Sequence, residues 1–370
     1  METRRTDNEY AWDEVDDLGG IPRRTLLPAP EWPDRRAASL RRRMTDVLDE
    51  VRPNVVAVTG WAAADALAAL DWCTRRNVPA VMMSESQERD ASRSWLKERI
   101  KRQILSGCSA ALVGGSPHAR YAEKLGLSPD RIFLGYDVVD NDWFSRGAEA
   151  ARSRAAECRA ERSLPQRFFL ASCRFIEKKN LPRLLAAFAR YREAAGDDAW
   201  HLVLLGSGPL EEPLRVQVRE LSIGPFVHLP GFRQYGDLPA YYGLAGAFIH
   251  ASTVEQWGLV VNEAMASGLP VLVSEACGCA EDLVQEGRNG FRFAPHDLDA
   301  MAAAMRCVTD PGRGAEMGRE SRQIIGDWGP ERFGENLWQA ARIAAARPRQ
   351  SNRGATRLLL ALLSRRRIAT

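Results

Sequence analysis

The sequence contains no long apolar stretch and no apolar leader. None of its hydrophobic runs approaches the ~20 residues that a membrane-crossing helix needs. The N-terminal segment METRRTDNEY is charged, unlike the apolar core of a secretory signal peptide. These absences argue against a transmembrane or secreted protein. With a hydrophobic content of 45% and a charged content of 27%, they predict a globular protein of the cytoplasm.

Cysteine is sparse and irregularly spaced. Seven cysteines occur in 370 residues, an odd number at no repeated interval, so a disulfide framework is not expected. The closest pair is Cys277 and Cys279, and no second Cys or His pair lies at zinc-ligand spacing from it. We interpret the pair as packing residues and expect reduced thiols, as in the cytoplasm.

The chain also lacks a strong excess of one charge. Its formal net charge of +3 is too small to predict nucleic-acid binding. The last twenty residues nevertheless contain no Asp or Glu. Within them, RLLLALLSRRRI (Arg357 to Ile368) has the pattern of a short basic amphipathic helix, which can bind a membrane surface. We favour the alternative, a partly disordered tail or a helix docked on the protein, because the run is short.

Strand and helix signals alternate along most of the chain. Helical patterns separate the strands, as over 181–194, where Leu181, Leu184, Leu185 and Phe188 recur at helical spacing. Short buried strands between helices indicate doubly wound parallel sheets, so the fold class is α/β. Two such sheets in tandem are expected to face a cleft with their strand ends. The predicted strands cover residues 55–58, 80–83, 110–113, 131–134, 168–172, 201–205, 226–229, 247–250 and 270–273.

The most informative segment runs from Glu255 to Glu263 with the sequence EQWGLVVNE, and it opens a helical pattern after a predicted strand. Gly258 would let a phosphate approach the backbone, and the amides of Gly258, Leu259 and Val260 at the helix start would bind it. Glu263 is placed to accept the hydroxyl protons of a ribose, and Glu255 to hold a sugar hydroxyl. Either glutamate alone is more simply a solvated surface residue.

This segment resembles the E-x7-E motif of the retaining glycosyltransferases of family four, which have the GT-B fold of two Rossmann-like domains. The resemblance implies that Glu263 binds the ribose of a nucleoside-diphosphate sugar and that Glu255 contacts the transferred sugar. It extends over about residues 110–345 and is most specific from 172 to 293. Trp257 stands where many members have Phe.

The segment SCRFIEKKN, residues 172–180, resembles the family segment whose Arg and Lys bind the donor diphosphate. By position these are Arg174 and Lys179, with Lys178 the less favoured choice. A departing diphosphate needs cations to stabilise its growing negative charge. No Asp-x-Asp stands at a strand end, so the resemblance predicts transfer without a metal, and no cofactor besides the donor substrate.

Two glycine turns lie between these segments. Gly206 and Gly208, in LGSGP, resemble the turn near the nucleotide, although such a turn alone is common between a strand and a helix. Gly231 and Phe232, in PGFR, resemble the loop that meets the base. The resemblance therefore adds these residues to the expected donor site.

The N-terminal half resembles the family less closely. RIFLGYDVVDNDWF resembles the segment that ends the first domain, with Val138 in place of the usual Gly. PAVMMSES resembles the strand whose end often carries a His that faces the acceptor, and Glu85 takes that place. Glu85 would hydrogen-bond the sugar or the acceptor, or else cap a helix. His250 ends a predicted strand, and we give it no catalytic role because a structural histidine is the simpler interpretation.

The length predicts two domains. We predict an N-terminal acceptor-side Rossmann-like domain over 1–155, a C-terminal nucleotide-sugar-binding domain over 156–328, a helix over 329–346 that crosses back, and a basic tail over 347–370. The boundary follows from residues 145–162, which are rich in Arg, Ala and Glu and have no strand signal. The polar region before Val55 shows no first strand, so the N-terminal domain is expected to lack it.

The predicted function is a retaining glycosyltransferase that moves a sugar from a nucleoside-diphosphate sugar to a hydroxyl acceptor. If the C-terminal segment contacts the inner face of a membrane, a lipid-linked acceptor is expected. Two alternatives stay open. One is a non-catalytic nucleotide-sugar-binding subunit, which the missing first strand favours. The other is a GT-B epimerase, which the context of the two glutamates disfavours.

Overall fold

The computed structural model describes residues 20, 22–27, 37–91, 94–346 and 353–363. The strands are β1 (Val56–Thr59), β2 (Ala80–Ser84), β3 (Ala110–Val113), β4 (Ile132–Leu134), β5 (Phe168–Ser172), β6 (His201–Leu205), β7 (Val227–Gly231), β8 (Ala247–His250), β9 (Val271–Ser274) and β10 (Gly290–Phe293). The helices are α1 (Ala37–Val51), α2 (Ala64–Arg76), α3 (Trp95–Leu105), α4 (Ser116–Lys124), α5 (Asn141–Ser153), α6 (Ala155–Arg162), α7 (Leu181–Ala195), α8 (Glu211–Glu220), α9 (Leu238–Leu244), α10 (Leu259–Ala266), α11 (Ala280–Leu283), α12 (Leu298–Val308), α13 (Pro311–Gly326), α14 (Pro330–Ala346) and α15 (Arg353–Leu363). Short 3-10 helices cover Glu88–Asp90, Pro129–Arg131, Glu177–Lys179, Gly196–Asp198, Gly224–Phe226 and Tyr235–Asp237.

The chain forms two compact units, each built on a parallel sheet. The first unit holds the sheet β1-β2-β3-β4, in chain order. The second holds the sheet β10-β9-β8-β5-β6-β7, whose order reverses between β8 and β5. Such a reversal leaves a crevice beyond the carboxyl ends of the two strands. The predicted α/β class with parallel sheets is confirmed.

The strands form where apolar residues run without interruption. Every residue of β3, β5, β8 and β9 is buried, because helices cover both faces of a parallel sheet. This is why continuous apolar runs located these strands correctly in the sequence. The side chains predicted to form the core face of α7 are buried as well: Leu181, Leu184, Leu185 and Phe188.

The segment before β1 is helical, although the sequence analysis assigned no element there. Leu40, Met44 and Leu48 recur every four residues along α1, and all three are buried. That spacing is the core stripe of an amphipathic helix, set among arginines and acids that make the segment look polar. No strand precedes β1 in the residues described on its N-terminal side, so β1 forms an edge of the first sheet.

The boundary between the units lies near Tyr136, whereas the sequence analysis placed it at residue 155. The difference comes from α5, whose residues Phe144 and Ala148 are fully buried in the core of the second unit. A Cβ atom on Gly243 of α9 would lie 2.6 Å from the carbonyl oxygen of Ala148, so the two helices pack closely. The small residues that permit this contact are not strongly hydrophobic. The sequence analysis therefore did not recognise that one side of α5 belongs to a core.

The C-terminal helices belong largely to the first unit. From Gly334 onward, α14 is part of that unit, where Ala340 and Ala344 pack against Val81 and Ala110. The predicted crossing helix over 329–346 corresponds to α14 in extent. None of the helices in the described ranges is long and apolar enough to cross a membrane.

The C-terminal segment was predicted either to contact a membrane or to dock on the protein, and its described part docks. Leu360 and Thr356 of α15 are 1% and 2% exposed, and Leu360 joins the core of the first unit. The Gln103 side chain of α3 donates to Thr356 Oγ1 at 2.6 Å. The arginines of residues 365–367 lie outside the described residues.

Leu360→Ala is expected to lower the free energy of unfolding by about 2–5 kcal/mol, because it leaves a cavity between α15 and the core. Leu358→Ala is the matched control, since Leu358 is 65% exposed on the same helix and such surface changes stay within roughly 0.5 kcal/mol. Chemical denaturation measures both. Equal effects of the two substitutions would show that α15 is not docked through Leu360.

Candidate active site

Three residues predicted from the sequence to form the donor site lie at the crevice beside β5 and β8. The two strands are hydrogen-bonded neighbours, with Phe169 opposite Ala247 and Leu170 opposite Phe248. The loop after β5 carries Arg174 and Lys179, and the loop after β8 carries Glu255. Since parallel strands end at the same sheet edge, these loops meet. Segments far apart in sequence therefore form one cluster.

At the centre of the cluster, Lys179 and Glu255 form a close ion pair in which both side chains are 13% exposed. Glu255 Oε2 also lies 3.0 Å from His250 Nε2 and accepts from the Ser252 hydroxyl at 3.2 Å. Thr253 N donates to the carbonyl oxygen of Lys178 at 2.9 Å, which ties the two loops together through their backbones. The carboxylate is thus held by three side chains.

These partners keep Glu255 ionised. Burial alone raises the pKa of Glu255, but the hydrogen bond from His250 and the charge of Lys179 outweigh it and hold the pKa well below its ordinary range. Burial lowers the pKa of His250, and Glu255 opposes that shift only in part. His250 is therefore neutral at neutral pH. Its proton is on Nε2, because a carboxylate can only accept.

Gly258 sits between this loop and α10 with φ 111° and ψ 63°, a backbone conformation that glycine tolerates best. A Cβ atom there would lie 3.4 Å from Glu255 Cγ, so the helix starts directly against the carboxylate side chain. Leu259 and Val260 form the first turn of α10, whose leading amides have no partner within the helix. The helix therefore starts where the sequence predicted, and anion binding by its first amides stays a prediction.

Backbone hydrogen bonds from a second loop fix the loop before Gly258. The amide of Gly278 donates to the carbonyl oxygen of Glu255 at 3.0 Å, and that of Cys279 donates to the carbonyl oxygen of Trp257 at 3.2 Å. Cys277 and Cys279 are fully buried in the hydrophobic core, as expected of packing residues. The position of Glu255 is thereby set by backbone hydrogen bonds as well as by its ion pair.

Trp257, which replaces the Phe frequent in the family, is a core residue. It is 1% exposed, and its ring lies 5.3 Å from that of Trp328. Its indole N–H donates to Asn262 Oδ1 at 2.9 Å, and Asn262 in turn donates to the carbonyl oxygen of Asp137. The larger aromatic residue thus anchors α10 to the start of the second unit.

Glu263 lies further along α10 and is 8% exposed. Tyr242 donates to Glu263 Oε2 at 2.6 Å. Burial raises the pKa of Glu263 to about 7, and the Tyr242 hydrogen bond offsets only part of that rise. Burial and the neighbouring carboxylate also raise the pKa of Tyr242, so the phenol stays protonated and remains the donor. Glu263 consequently changes charge near neutral pH, whereas Glu255 does not.

The glycine turn after β6 packs on the loop that carries Arg174. A Cβ atom on Gly206 would lie 1.9 Å from the carbonyl oxygen of Cys173, and one on Gly208 would lie 2.7 Å from that of Phe175. The Phe175 amide also donates to the carbonyl oxygen of Ser207 at 2.8 Å. The turn therefore needs glycine so that two backbones can touch, and that contact presents Arg174 at the surface.

The loop after β7 continues the same edge. Gly231 has φ 87°, and its carbonyl oxygen accepts from the amide of Gly206 at 3.1 Å. Phe232 is half-buried, and its carbonyl oxygen accepts from the Arg233 guanidinium, which also donates to Tyr241 Oη at 2.8 Å. Gly231 and Phe232 thus lie at the end of the strand next to the glycine turn, and their contact with a base stays a prediction.

Glu85 belongs to the first unit and follows β2, where it is half-buried. The 3-10 helix after it is capped by Gln87, whose backbone amide donates to Asp90 Oδ2 at 2.8 Å. Glu85 is therefore not the cap of that helix. The other interpretation, a contact to the sugar or the acceptor, stays a prediction.

Three residues of the site had no assigned role in the sequence analysis. His250 and Ser252 bind Glu255, and Tyr242 binds Glu263. A signal existed for His250, which ends a strand five residues before Glu255. Tyr242 lies on α9, far in sequence from its partner, so no local pattern connects the two.

The amino-acid sequence is similar to those of known glycosyltransferases. Residues 157–323 match the model of the family described as Glycosyl transferases group 1. The chain is 33% identical over 142 residues to sulfoquinovosyl transferase SQD2 of Arabidopsis thaliana, covering 38% of this chain and 26% of the relative. It is 28% identical over 236 residues to the GDP-mannose-dependent alpha-(1-6)-phosphatidylinositol monomannoside mannosyltransferase of Mycobacterium tuberculosis, covering 61% and 59%.

The fold is also that of solved structures. The crystal structure of Anabaena Alr3699/HepE in complex with UDP superposes with a TM-score of 0.64 at 18% identity, covering 80% of this chain and 81% of the other. Among the curated relatives, in contrast, the chain spans from about a quarter to about three fifths of their length.

Two Rossmann-like units in one chain are the GT-B fold, and that is the fold of this protein. Within it, residues 157–323 match the Glycosyl transferases group 1 model. This segment carries every predicted donor-site residue of the second unit.

The buried carboxylate of Glu263 should make stability pH-dependent. Its folded-state pKa of about 7 lies above the ordinary value of 4.5, so its contribution is full below pH 4.5 and is lost as the pH rises through 7. Glu263→Gln keeps an acceptor for Tyr242 but cannot ionise. Relative to the parent, the variant should therefore gain up to about 3 kcal/mol in unfolding free energy between pH 4.5 and 8.

Urea denaturation at several pH values measures this difference. Glu220→Gln, at an exposed position of α8, is the control and should follow the parent at every pH. Parallel curves for Glu263→Gln and the parent would rule out a raised pKa at Glu263.

Proposed function

We propose that this protein is a retaining glycosyltransferase that moves a hexose-type sugar from a nucleoside diphosphate to a hydroxyl acceptor. The observation that carries the proposal is the joining of Lys179 and Glu255 in the crevice between β5 and β8, beside the start of α10. This arrangement places a cation, a carboxylate and unpaired helix amides at one sheet edge. A nucleotide sugar needs these three kinds of group.

The diphosphate is assigned to the start of α10 and to the basic loop after β5. The amides of Gly258, Leu259 and Val260 point along the helix dipole, which favours a phosphate there. Lys179 has three ammonium protons, so it can keep its bond to Glu255 and still donate to a phosphate oxygen. Arg174 is exposed on the same loop. These groups would stabilise the charge on the departing diphosphate, which makes a metal unnecessary in this mechanism.

Glu263 is assigned to the ribose and Glu255 to the transferred sugar. In the described part of the chain, the hydrogen bond to Glu263 comes from Tyr242 to Oε2, and Oε1 accepts from no other residue. A ribose diol would supply the missing donors in a pocket where an unpaired carboxylate is costly. Glu255 is held rigidly by His250, Ser252 and Lys179, so it can orient a sugar hydroxyl.

The acceptor is assigned to the first unit, with Glu85 as its contact. We propose that the leaving phosphate guides the incoming hydroxyl, so retention needs no protein nucleophile. A lipid-linked acceptor is supported by the resemblance to a mannosyltransferase named for a phosphatidylinositol monomannoside. We further propose a cytoplasmic location at the inner membrane face, which suits the seven free cysteines.

A thermal-shift screen over UDP-, GDP-, ADP- and dTDP-sugars identifies the donor, and NMR of the product gives its anomeric configuration. Retention of configuration is expected, and an inverted product would contradict the mechanism. Calorimetry then separates the enzyme from a binding subunit. Donor binding without hydrolysis or transfer would favour the non-catalytic alternative.

Lys179→Ala is expected to lower turnover roughly tenfold or more, a loss of at least ~1.4 kcal/mol of transition-state stabilisation. Lys178→Ala is the matched control, because the exposed Lys178 uses its backbone carbonyl in the site. Arg174→Ala tests the second cation. Arg174 is exposed, so its replacement should not affect folding.

Glu263→Ala should also lose activity, through weaker donor binding. Full transfer by both Lys179→Ala and Glu263→Ala would overturn the assignment.

A further inference from the structure

The first unit has an open cavity at the amino ends of its first two strands. The cavity has a volume of about 440 Å³, a size typical of small-molecule sites. It is lined by the ends of α1 and α2 and by the turns that lead into β1 and β2: Asp49, Arg52, Pro53, Trp72, Arg76 and Val78. Glu85, the proposed acceptor contact, follows β2 at the other end of the strands. The cavity is therefore separate from the proposed acceptor position.

One side of the cavity is built around a carboxylate with three hydrogen bonds. Asp49 accepts from Arg76 Nε at 3.0 Å and from Arg76 Nη2 at 2.6 Å, and Trp72 Nε1 donates to it at 2.8 Å. These bonds connect α1 with α2 and fix the guanidinium of Arg76. Within the described ranges, Arg76 Nη1 donates to no protein group. Asp49 thus balances the charge of Arg76 without using all of its N–H donors.

Arg52 is the second cation of the cavity, and it directly follows α1. Its guanidinium is exposed and has no partner in the part of the chain that the structure describes. A basic residue at the end of a helix also stabilises the partial negative charge there. That effect does not require this particular position, since basic residues within the last turn provide it, as Arg75 and Arg76 do in α2.

The backbone of Arg52 is unfavourable for an arginine. Its φ of 50° lies in the left-handed region, where the residue after a helix is usually glycine or asparagine. Asn77 fits this rule after α2, with φ 64°. Arg52 also precedes Pro53, and a residue before proline favours an extended backbone. Backbone strain of this kind is concentrated at functional positions, so it indicates a role for the Arg52 side chain.

We propose that this cavity binds a small organic carboxylate, with Arg52 as the main contact and Arg76 as the second. A guanidinium can bind a carboxylate through two parallel N–H···O bonds, which fixes the orientation of the ligand. Pro53 and Val78 supply an apolar wall for the hydrocarbon part of the ligand. The proposal does not rest on the proposed transferase function.

The charge of the cavity favours a carboxylate over a phosphate. Arg52 and Arg76 are positive and Asp49 is negative, so one positive charge is left without a partner. The carboxyl-terminal ends of α1 and α2 add partial negative charge at the same place. A carboxylate balances the remaining cation. A dianionic phosphate would exceed it and would be repelled by Asp49.

Calorimetry on the full chain, with naphthoate and naphthamide as probes, tests this proposal. The two probes share their rings and differ in charge. Naphthoate should bind roughly tenfold more tightly than naphthamide or better, since hydrogen bonds to a charged group contribute at least that much. Inorganic phosphate should bind more weakly than naphthoate, because its second negative charge has no partner in the cavity.

Arg52→Gly removes the guanidinium and places glycine in the left-handed conformation. Naphthoate binding should fall roughly tenfold or more, and the melting temperature should not fall, because glycine is preferred in this backbone conformation. Arg52→Lys keeps the charge without the planar fork and should bind with intermediate affinity. Arg42→Ala is the matched control, because the Arg42 side chain is 86% exposed on α1 and is not part of the cavity lining.

Three results would overturn the proposal. One is a parent protein that does not bind naphthoate. Another is equal binding of naphthoate and naphthamide, because the cations would then have no part in recognition. The third is an Arg52→Gly variant that binds naphthoate as tightly as Arg42→Ala does. Calorimetric binding of the nucleotide-sugar donor should be the same in all variants, which separates this proposal from the proposed transferase function.

Discussion

The ion pair between Lys179 and Glu255 joins the two loops that leave β5 and β8, and the rest of the candidate site depends on it. Two charges that are mostly removed from water are costly unless each finds further partners. His250 and Ser252 supply these partners for the carboxylate, and the amide of Gly278 fixes the loop beneath it. The crevice at the reversal of strand order thereby becomes a rigid site.

Two glutamates of one short segment have opposite electrostatic environments. Glu255 sits among a cation, an imidazole and a hydroxyl, which keep it charged. Glu263 sits in an apolar pocket with a phenol, where burial raises its pKa to about 7. The difference fits the two roles proposed for these residues. A group that orients a sugar next to a diphosphate needs a permanent charge balanced by lysine, whereas a ribose-binding group can acquire its full set of donors from the ligand.

The sequence was informative where structure is local. Continuous apolar runs located strands such as β5 and β8, and the positions of Gly258 and Glu263 followed from one motif. It was less informative where contacts are long-range. The apolar stripe of α1 lies among charged residues. The residues of α5 that pack in the core of the second unit are partly small, so the sequence did not indicate this packing. Tyr242 meets Glu263 only because α9 packs against the sheet. Such contacts leave no periodic trace near either partner.

The path of the chain has a consequence for synthesis. The second unit is almost continuous in sequence, from Asp137 to Phe333, whereas the first is assembled from both sides of it and includes α15 with the buried Leu360. During translation the second unit can therefore complete its core first. The first unit has to wait, with its early helices and strands already made, until its last helices leave the ribosome. This interval is when its apolar surfaces are most open to aggregation or to a chaperone.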